Sequence, residues 1–390
     1  MRRIVAIGAI WTCVWWAIVG ALVAPVLPCG WATIAAIVAF EVAALLVLVQ
    51  RFRGVYPSAL TRLFVFRPFW YLQLGVLLMA LAGAAAFVIG TPFGYGVTVG
   101  RAVVLIVATA FTAAALVGYL GSRQLRTRHL IATLPQLPRG LDGLRIVQVS
   151  DLHVGPHTSR RFLRRVAVAI EAAQPDLIAV TGDQVDDYPG DVAHFTAAFG
   201  HLKARHGVFA IAGNHDVYAG WADVRNGLTA MGVTVLVNDS VAIVHGGDRF
   251  WLAGTGDPAG SGGPIGRDVS VAPDIERTLV KIPAGAFTIA LAHNPALWPA
   301  LAERGVSLTL SGHTHHGQLS IPHIDWSLAS LFLEHAMGWH VRGSSLLYIN
   351  PGTNYWGLPL RIGASPEVSV LVLRRDEGSQ ASIAEMPQPI

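Results

Sequence analysis

Five short apolar runs in the second part of this 390-residue sequence end in small residues and are followed by acidic, amide or imidazole side chains. Such runs predict β-strands. In an open α/β sheet, ligand sites form at the carboxyl ends of strands, so side chains that are far apart in sequence converge there. Seven of these side chains offer an oxygen or a nitrogen atom to a metal ion: Asp151, His153, Asp183, Asn214, His293, His313 and His315.

The chemistry of this set is that of a hard to borderline metal site. Carboxylate, amide and imidazole ligands without a thiolate suit manganese, iron, zinc or magnesium. Both cysteines, Cys13 and Cys29, precede the strand candidates, which excludes thiol catalysis and cysteine-based zinc sites in this part of the chain. Seven ligands are too many for one ion, whereas two ions that share one carboxylate would have four protein ligands each. The sequence therefore predicts two divalent metal ions.

The order of these motifs resembles that of the calcineurin-like metallophosphoesterase superfamily. The series is Asp-x-His, Gly-Asp-x-x-Asp, Gly-Asn-His-Asp, a single His and Gly-His-x-His, and the ending YINPGTNYWGLPLRIGASPEV resembles the bacterial membrane-associated branch. The resemblance covers about residues 143–375 and favours manganese among the metals. It implies that one ion is held by Asp151, His153, Asp183 and His315. It implies that the second is held by Asp183, Asn214, His293 and His313.

The resemblance also implies roles for residues near the ligands. His215 matches the family histidine that contacts the phosphate, and Asp216 matches the acid that orients it. We expect Asp186 to support the site and Asp187 to be a solvated surface acid. Two ions of this kind activate a shared water for in-line attack at phosphorus, so no nucleophilic side chain is required.

Two features lie at and just after the last motif. The family continues with Gly-Gly-Gln after Gly-His-x-His, whereas this chain has His316 at the first glycine position. We expect this imidazole to contact the substrate, with a narrowed cleft as the alternative. Residues 321–341 are unusually apolar. They predict either a short buried helix or a lid that docks on the bilayer or contacts an acyl chain.

The first 122 residues predict a membrane region. Four apolar runs are long enough to cross a bilayer: about 4–24, 31–50, 70–90 and 102–120. Hydrophobic residues make up 53% of the sequence and charged residues 13%, which excludes a disordered or purely water-soluble chain. Glu41 is the one acidic or basic residue within these runs. It is either a neutral, hydrogen-bonded packing residue or a functional group.

The flanking charges predict the orientation of the chain. Almost all arginines next to the spans lie on one side of the membrane, with only Arg101 on the other. By the positive-inside rule we expect an integral cytoplasmic-membrane protein whose catalytic domain faces the cytoplasm. The expected partners are the lipid bilayer and a phosphate-ester substrate. Nucleic acid is not expected, because the polar part carries more acids than bases and no basic or aromatic groove.

Beyond the membrane region, apolar runs alternate with helical patterns. This alternation predicts an α/β fold with either one large mixed sheet or two packed sheets and with helices outside. The resemblance implies two packed mixed β-sheets flanked by helices, an αββα sandwich. We predict a membrane region at 1–122, a linker at 123–142, a metallophosphoesterase domain at 143–378 and a C-terminal tail at 379–390.

The expected function is hydrolysis of a phosphodiester or pyrophosphate bond by a metal-activated hydroxide, on a membrane lipid or a lipid-linked nucleotide. Membrane tethering favours a substrate confined to the bilayer surface. The alternatives are a phosphomonoesterase acting on soluble or protein phosphate and a catalytically silent membrane scaffold. The complete ligand set argues against the scaffold.

Overall fold

The structure is a computed structural model that divides into two compact units, Met1–Gly118 and Tyr119–Ile390. The described residues are 2–51, 58–155, 158–262, 268–376, 378 and 380–386.

The first unit consists of apolar helices. The four long ones are α1 (Arg2–Val23), α2 (Trp31–Arg51), α4 (Arg67–Gly90) and α5 (Gly96–Gly121), whose last residues belong to the second unit. The short α3 (Ala59–Thr61) and a π-helical turn (Arg62–Phe66) precede α4. All four long helices are long and apolar enough to cross a membrane. The prediction of four spans is confirmed.

Glu41 on α2 is buried inside this unit. The side-chain amide of Gln73 on α4 donates to Oε2 of Glu41 at 2.7 Å and lies 2.9 Å from the hydroxyl oxygen of Thr12 on α1. A polar contact of this kind between apolar helices is expected of a hydrogen-bonded packing residue, because an isolated polar group in the bilayer is costly.

The second unit contains two mixed β-sheets. Across the seven-stranded first sheet the order is β15 (Ser382–Glu385), β1 (Arg126–Thr133), β14 (Glu367–Arg374), β2 (Arg145–Val149), β3 (Leu177–Val180), β4 (Val208–Ala210) and β5 (Thr234–Val235). Across the six-stranded second sheet it is β12 (Gly338–Arg342), β13 (Ser345–Ile349), β9 (Leu308–Ser311), β8 (Thr288–Leu291), β7 (Asp248–Gly254) and β6 (Asp239–His245). Strands β2 to β5 are parallel, and so are β7, β8, β9 and β13.

In the described part of this unit, five α-helices accompany the sheets: α6 (Arg160–Ala172), α7 (Val192–Phe199), α8 (Asn214–Ala230), α9 (Ile275–Leu279) and α10 (Trp298–Glu303). Alternate residues of one strand face opposite sides of its sheet. Ile146 of the first sheet belongs to a core that includes Leu308 of the second sheet, whereas Val147 packs in a core with Leu163 of α6. Leu301 of α10 packs on the outer face of the second sheet. The predicted two-sheet sandwich flanked by helices is confirmed.

The predicted linker is wrong for residues 126–133, which form β1. This strand pairs in parallel with β14 over its whole length. Only alternate residues such as Leu130 and Ala132 are buried, and the more exposed positions nearer its start carry arginine and histidine. A half-buried strand with so few apolar residues resembles a linker in sequence, particularly because Pro135 and Pro138 follow it.

The predicted C-terminal tail and the apolar stretch 321–341 also need correction. Within the tail, Ser382–Glu385 adds β15 as an antiparallel edge strand beside β1, and Ile383 enters the core; residues 379 and 387–390 lie outside the described residues. The stretch 321–341 does not form a buried helix. It consists of short helical turns, the last residue of β10 (Ser320–Ile321), β11 (Trp326–Ser327) and most of β12, because its proline and glycine interrupt helical periodicity.

Candidate metal centre

Strands from both sheets end at one place and carry the predicted metal ligands there. The strands concerned are β2, β3 and β4 of the first sheet and β8 and β9 of the second. The structure brings all seven side chains together: Asp151 and His153 after β2, Asp183 after β3, Asn214 after β4, His293 after β8, and His313 and His315 after β9. The convergence follows from the parallel arrangement of the strands that precede them.

The first group of donor atoms surrounds Nε2 of His315. Nε2 of His153 lies 3.0 Å from this nitrogen, and Oδ1 of Asp151 lies 3.3 Å from it. Oδ2 of Asp183 lies 3.6 Å from Nε2 of His153. Four donor side chains therefore face one another across a small space.

The second group of donor atoms shares Asp183 with the first. Oδ2 of Asp183 lies 3.3 Å from Nε2 of His293, and Oδ1 of Asn214 lies 3.2 Å from the same nitrogen. Nδ1 of His313 lies 2.8 Å from that amide oxygen. Asp183 therefore has the position required of the carboxylate that two metal ions share.

The spacing of these donors fits divalent ions. Ligand atoms about 2.1 Å from a common ion lie roughly 3.0–3.4 Å apart at octahedral or tetrahedral angles. The separations within the first group are 3.0, 3.3 and 3.6 Å, and those within the second are 2.8, 3.2 and 3.3 Å. Together with the hard to borderline donor set, this spacing fits one metal ion in each group.

The glycine that precedes Asp183 is explained by close packing. Gly182 has φ +94°, and a β-carbon at this position would collide with the ring of His293. Nδ1 of that ring donates to the carbonyl oxygen of Thr181 at 2.7 Å. This hydrogen bond fixes the tautomer and leaves Nε2 of His293 as the nitrogen that can bind a metal.

Backbone strain is concentrated in the same residues. Five of the seven predicted ligands have φ between 40° and 70°: Asp151, His153, Asp183, His313 and His315. This left-handed conformation costs a non-glycine residue about 1–3 kcal/mol. Such strain persists only where the surrounding structure holds it, and it is typical of functional sites.

Opposite charges compensate one another around Asp183. Burial alone raises the pKa of a carboxyl group, but the charge and hydrogen bond of His293 and the charge of His215 hold the pKa of Asp183 well below its usual range. Burial disfavours a charged imidazole, yet Asp183 raises the pKa of His293 well above its usual range. In the protein alone, the His293 imidazolium balances the carboxylates. A metal ion must displace that proton when it binds.

Two other predicted ligands are held in the neutral form. Burial, together with the charge of Arg361, keeps the pKa of His315 well below its usual range. Burial and the neighbouring His293 lower the pKa of His313 to about 4. Neutral imidazole is the form that binds a metal ion, so both rings are ready to bind one near neutral pH.

The acid beside the ring of His215 is Asp187, which corrects two expectations. Nδ1 of His215 donates to Oδ1 of Asp187 at 2.8 Å, so Asp187 is not a solvated surface acid and Asp216 is not the residue that orients this ring. Burial opposes a charged imidazole, but the charge of Asp183 and the hydrogen bond to Asp187 outweigh it and raise the pKa of His215 to about 9.

Asp186 lies beside two of the site's imidazole rings. Its Oδ1 is 3.6 Å from Nδ1 of His153 and 4.0 Å from Nδ1 of His215. The negative charge there favours the charged form of His215. This position is consistent with the supporting role expected of Asp186.

Asp216 connects two of the loops that carry ligands. Its Oδ1 accepts from the backbone N–H groups of Gln184 and Val185 at 2.9 and 3.2 Å, and its Oδ2 accepts from that of Gly213 at 2.9 Å. Burial and the charge of Asp183 raise the pKa of Asp216 to about 8. Asp216 therefore holds the loop after β3 against the start of α8 and acts by positioning.

His316 does not face the site, so the expected substrate contact is wrong. The residue is 7% exposed, and its Nε2 donates to the carbonyl oxygen of Ile349 at 3.2 Å. Burial lowers the pKa of His316 to about 3. The residue has φ 50°, a backbone conformation that suits glycine better than histidine.

Replacing His316 with glycine is therefore expected to leave turnover within about twofold of the natural protein. The substitution relieves the left-handed backbone but leaves a cavity behind β13, so thermal stability should fall. Initial rates on a chromogenic diester, normalised to folded protein, measure the first effect. A changed substrate range in His316→Gly would contradict the buried packing role.

The loop after β13 holds the loop that carries Asp151, a contact that the sequence analysis missed. The backbone N–H of Thr353 donates to the carbonyl oxygen of Ser150 at 2.7 Å. The side-chain amide of Asn354 donates to the carbonyl oxygen of Leu152 at 2.9 Å. The residues of this contact belong to the ending YINPGTNYWG, which by resemblance alone predicts no structural role for them.

Arg361 was also missed and lies behind His315. Its guanidinium group is buried, and Nη1 donates to the carbonyl oxygens of His315 and Pro351 at 2.9 and 2.6 Å. Nη2 lies 2.8 Å from Nδ1 of His315, although 46 positions separate the two residues. Arg361 therefore fixes the position of one predicted ligand.

Substitution of Arg361 by methionine should release His315 and weaken the first metal group. We expect metal content to fall from about two ions per chain toward one, and diester hydrolysis to fall more than about tenfold. Arg361→Lys keeps the charge but loses the planar guanidinium group. Its metal content and its rate of diester hydrolysis should lie between those of the unsubstituted chain and Arg361→Met. Elemental analysis of purified protein measures the metal. Arg342→Met on exposed β12 is the matched control, and equal metal content in Arg361→Met and this control would refute the role.

Asp257 is a further acid near the second group that sequence reasoning missed. It follows β7, and its Oδ1 accepts from the backbone N–H of Ala259 at 2.9 Å. Burial raises the pKa of Asp257 to about 6, against the opposing charge of His293. The signal was available, because the strand FWLAG is followed by Thr-Gly-Asp in the same way as the other strands.

Comparison with known proteins now identifies the class to which this fold and site belong. The sequence profile of the calcineurin-like phosphoesterase family matches residues 144–317. The chain is 32% identical over 262 residues to the uncharacterized metallophosphoesterase YkuE of Bacillus subtilis, covering 66% of this chain and 88% of that protein. The chain belongs to the calcineurin-like metallophosphoesterases, a hydrolase family.

The matches to two further relatives cover a smaller share of each protein. The chain is 33% identical to a transmembrane protein with metallophosphoesterase domain of Danio rerio, covering 62% of this chain and 55% of that protein. It is 32% identical to an uncharacterized metallophosphoesterase of Helicobacter pylori, covering 59% of this chain and 60% of that protein. The chain therefore spans 55–60% of the length of these two relatives. Its four apolar helices are those of a membrane protein.

Proposed function

We propose that this chain is a metal-dependent phosphoesterase that hydrolyses a phosphodiester or pyrophosphate bond. The observation that carries the proposal is the position of Asp183 between the two groups of donor side chains, beside His153 of the first and His293 of the second. Family membership supports hydrolysis of a phosphoester. The spacing of the donors supports two metal ions, and the resemblance to the family favours manganese among manganese, iron, zinc and magnesium.

The chain's own residues would position the ions and the substrate. Two divalent ions, when bound, acidify a water molecule and stabilise the attacking and leaving oxygens of an in-line displacement at phosphorus. Asp183 fixes the spacing of the two groups. Arg361 and Asp216 hold the loops from behind, so the ligands need little rearrangement when substrate binds.

His215 would be the side chain that contacts the substrate. Its Nδ1 is engaged with Asp187, which leaves Nε2 available to a phosphoryl or leaving-group oxygen. A proton held at Nε2 stabilises negative charge on that oxygen, or is transferred to the leaving group as the bond to phosphorus breaks. Asp187 orients the ring and favours its charged form.

We assign the substrate to the membrane, as a phosphodiester or pyrophosphate of a lipid or lipid-linked nucleotide. Four spans in the same chain keep the site close to a bilayer. Trp356 supports this assignment, because its half-exposed ring packs edge-on at 5.6 Å from that of His215. An aromatic wall beside a phosphate site suits an acyl chain or a nucleobase.

We also propose that the catalytic domain faces the cytoplasm and that the bilayer is its main partner. The support is the distribution of arginines, with Arg101 alone among those beside the spans lying on the opposite side. Labelling of an introduced cysteine at exposed Val244, in intact cells with a membrane-impermeant reagent, tests this orientation. We expect the introduced cysteine to be labelled only after the cells are opened. Labelling in intact cells would place the catalytic domain outside the cytoplasm.

Hydrolysis by the detergent-solubilised full chain tests the function. We expect manganese-dependent cleavage of bis(p-nitrophenyl) phosphate at least about tenfold faster than of p-nitrophenyl phosphate, and loss of both activities with chelator. Phosphatidyl diesters and a nucleoside-diphosphate-linked glycolipid, each in mixed micelles, then test the lipid assignment. Faster cleavage of the monoester would favour the phosphomonoesterase alternative. No cleavage of any ester with any of the four metals would favour the scaffold.

A further inference from the structure

Large apolar side chains are exposed in residues 321–333, which we call the apolar segment. Ile324 is 68% exposed, Leu331 61% and Phe332 81%. Other exposed apolar side chains of the second unit, such as Val244 and Val280, lie on separate elements. Single exposed apolar residues are ordinary, whereas a contiguous group marks an interaction surface.

The apolar segment begins next to the point where the last span ends. Gly121, the final residue of α5, packs so closely on Arg361 that a β-carbon at position 121 would collide with the carbonyl oxygen of Arg361. The next residue, Ile362, forms backbone hydrogen bonds of 2.9 Å with Gln318 and Ser320. Ser320 directly precedes the apolar segment. The apolar segment therefore begins close to Gly121, the last residue of α5.

A basic surface borders the same point. Helix α6 carries four arginines at its exposed positions, which we call the α6 arginines: Arg160, Arg161, Arg164 and Arg165. Within the residues that the structure describes, none of the four forms an ion pair with an acid. Nη1 of Arg165 donates to the carbonyl oxygen of Arg123 at 3.0 Å, two residues after α5 ends. The start of α6 also adjoins the metal centre, because the hydroxyl of Thr158 donates to the carbonyl oxygen of His153 at 3.0 Å.

We propose that the apolar segment and the α6 arginines form one surface that docks on the anionic bilayer in which this chain's own spans lie. The apolar segment enters the interface between headgroups and acyl chains, and the arginines contact lipid phosphates. Both parts lie close to residues 121–123 of the second unit, which follow the last span directly along the chain. Two weak anchors beside a span are enough to orient a tethered domain.

Docking would bring the metal centre to the depth of lipid phosphates. This consequence rests on the proposed function, whereas docking itself does not. A lipid headgroup would then reach His215 without leaving the bilayer. The surface thus explains how a membrane-bound ester is selected over a soluble one.

Fluorescence quenching in nanodiscs tests docking without any turnover. The full chain carries Cys13→Ser and Cys29→Ser, and a bimane label is attached to Phe332→Cys or, in a second variant, to Ile324→Cys. In nanodiscs with phosphatidylglycerol and spin-labelled lipid, we expect both labels to be quenched. A label on Val244→Cys should not be quenched, because β6 lies at the opposite edge of the second sheet from β12. If the labels on Phe332→Cys and on Ile324→Cys both remain unquenched, the proposal is overturned.

A second pair of variants tests whether the α6 arginines contribute to docking on anionic lipid. We expect Arg160→Gln, Arg161→Gln and Arg164→Gln together to shift the equilibrium away from docking by about fivefold for each charge removed, so quenching falls in anionic nanodiscs. Removing the same number of charges in Arg205→Gln, Arg225→Gln and Arg249→Gln should leave quenching unchanged. Equal effects of the two triple variants would refute a specific α6 surface.

A kinetic comparison separates docking from the proposed function. We expect Leu331→Asp with Phe332→Asp to lower kcat/KM on a vesicle-embedded diester more than about tenfold and to leave hydrolysis of the soluble chromogenic diester unchanged. Equal rates on the vesicle-embedded diester would refute a role for docking in substrate selection. Absence of the soluble activity in the unmutated chain would instead refute the proposed function, and the quenching result would stand on its own.

Discussion

Replacing Asp183 with asparagine is expected to abolish hydrolysis, with kcat/KM at least about 1,000-fold below that of the unsubstituted chain. Asp183 lies within reach of both donor groups, at 3.6 Å from Nε2 of His153 and 3.3 Å from Nε2 of His293. Asparagine keeps the size but removes the negative charge that two cations would share. Elemental analysis should find no more than one metal ion per chain, because the second group then keeps only neutral ligands.

A matched control variant shows whether the loss of activity comes from unfolding. Asp223→Asn on the exposed face of α8 removes a carboxylate of the same kind away from the donor groups and should keep full activity and both ions. Thermal melting of both variants shows whether the fold survives. A folded Asp183→Asn variant with two ions and turnover within about tenfold of normal would refute the shared carboxylate.

Replacing His215 with glutamine is the second large change, with an expected loss of about 100- to 1,000-fold in kcat. Its Nδ1 is held by Asp187 at 2.8 Å, and the ring packs edge-on against that of His153. Metal content should remain at two ions per chain, because His215 lies in neither donor group. The loss therefore reports on contact with the substrate rather than on assembly of the centre.

Esters with different leaving groups distinguish two roles of His215, stabilisation of charge on a phosphoryl oxygen and protonation of the leaving oxygen. If the ring protonates the leaving oxygen, His215→Gln should lose more activity on an alkyl ester than on a p-nitrophenyl ester, since nitrophenolate needs no proton to depart. Asp187→Asn should show the same pattern with a smaller loss of about tenfold. The exposed His194→Gln serves as the control. Metal loss in His215→Gln, or a normal rate, would contradict the assignment.

The predicted ligands could be found from sequence because their positions follow from strand order. Each comes directly after a buried apolar strand, and parallel strands deliver such residues to one edge of a sheet. Asp183 and His293 lie far apart in the chain, yet both follow strands whose residues are buried on both faces. A local pattern therefore fixed a long-range arrangement.

Other features depend on contacts that no local pattern encodes. Asp187 and Asp216 are both acids close to the histidine motif in the fold, and only the path of the loop after β3 decides which one reaches the ring of His215. Arg361 contacts the ring of His315 directly, although 46 positions separate the two residues in the sequence. Strand β1 was missed because its more exposed positions carry charge, so its average composition is that of a linker.

Titration of metal into chelator-stripped full-length protein tests the central claim most directly. Bound manganese and the rate of bis(p-nitrophenyl) phosphate hydrolysis are measured on the same samples. A dinuclear site predicts two bound ions per chain and hydrolysis that appears mainly with the second equivalent, with neither effect in Asp183→Asn. Full activity with one ion per chain, or activity that survives complete removal of metal, would contradict a catalytic metal pair built on Asp183.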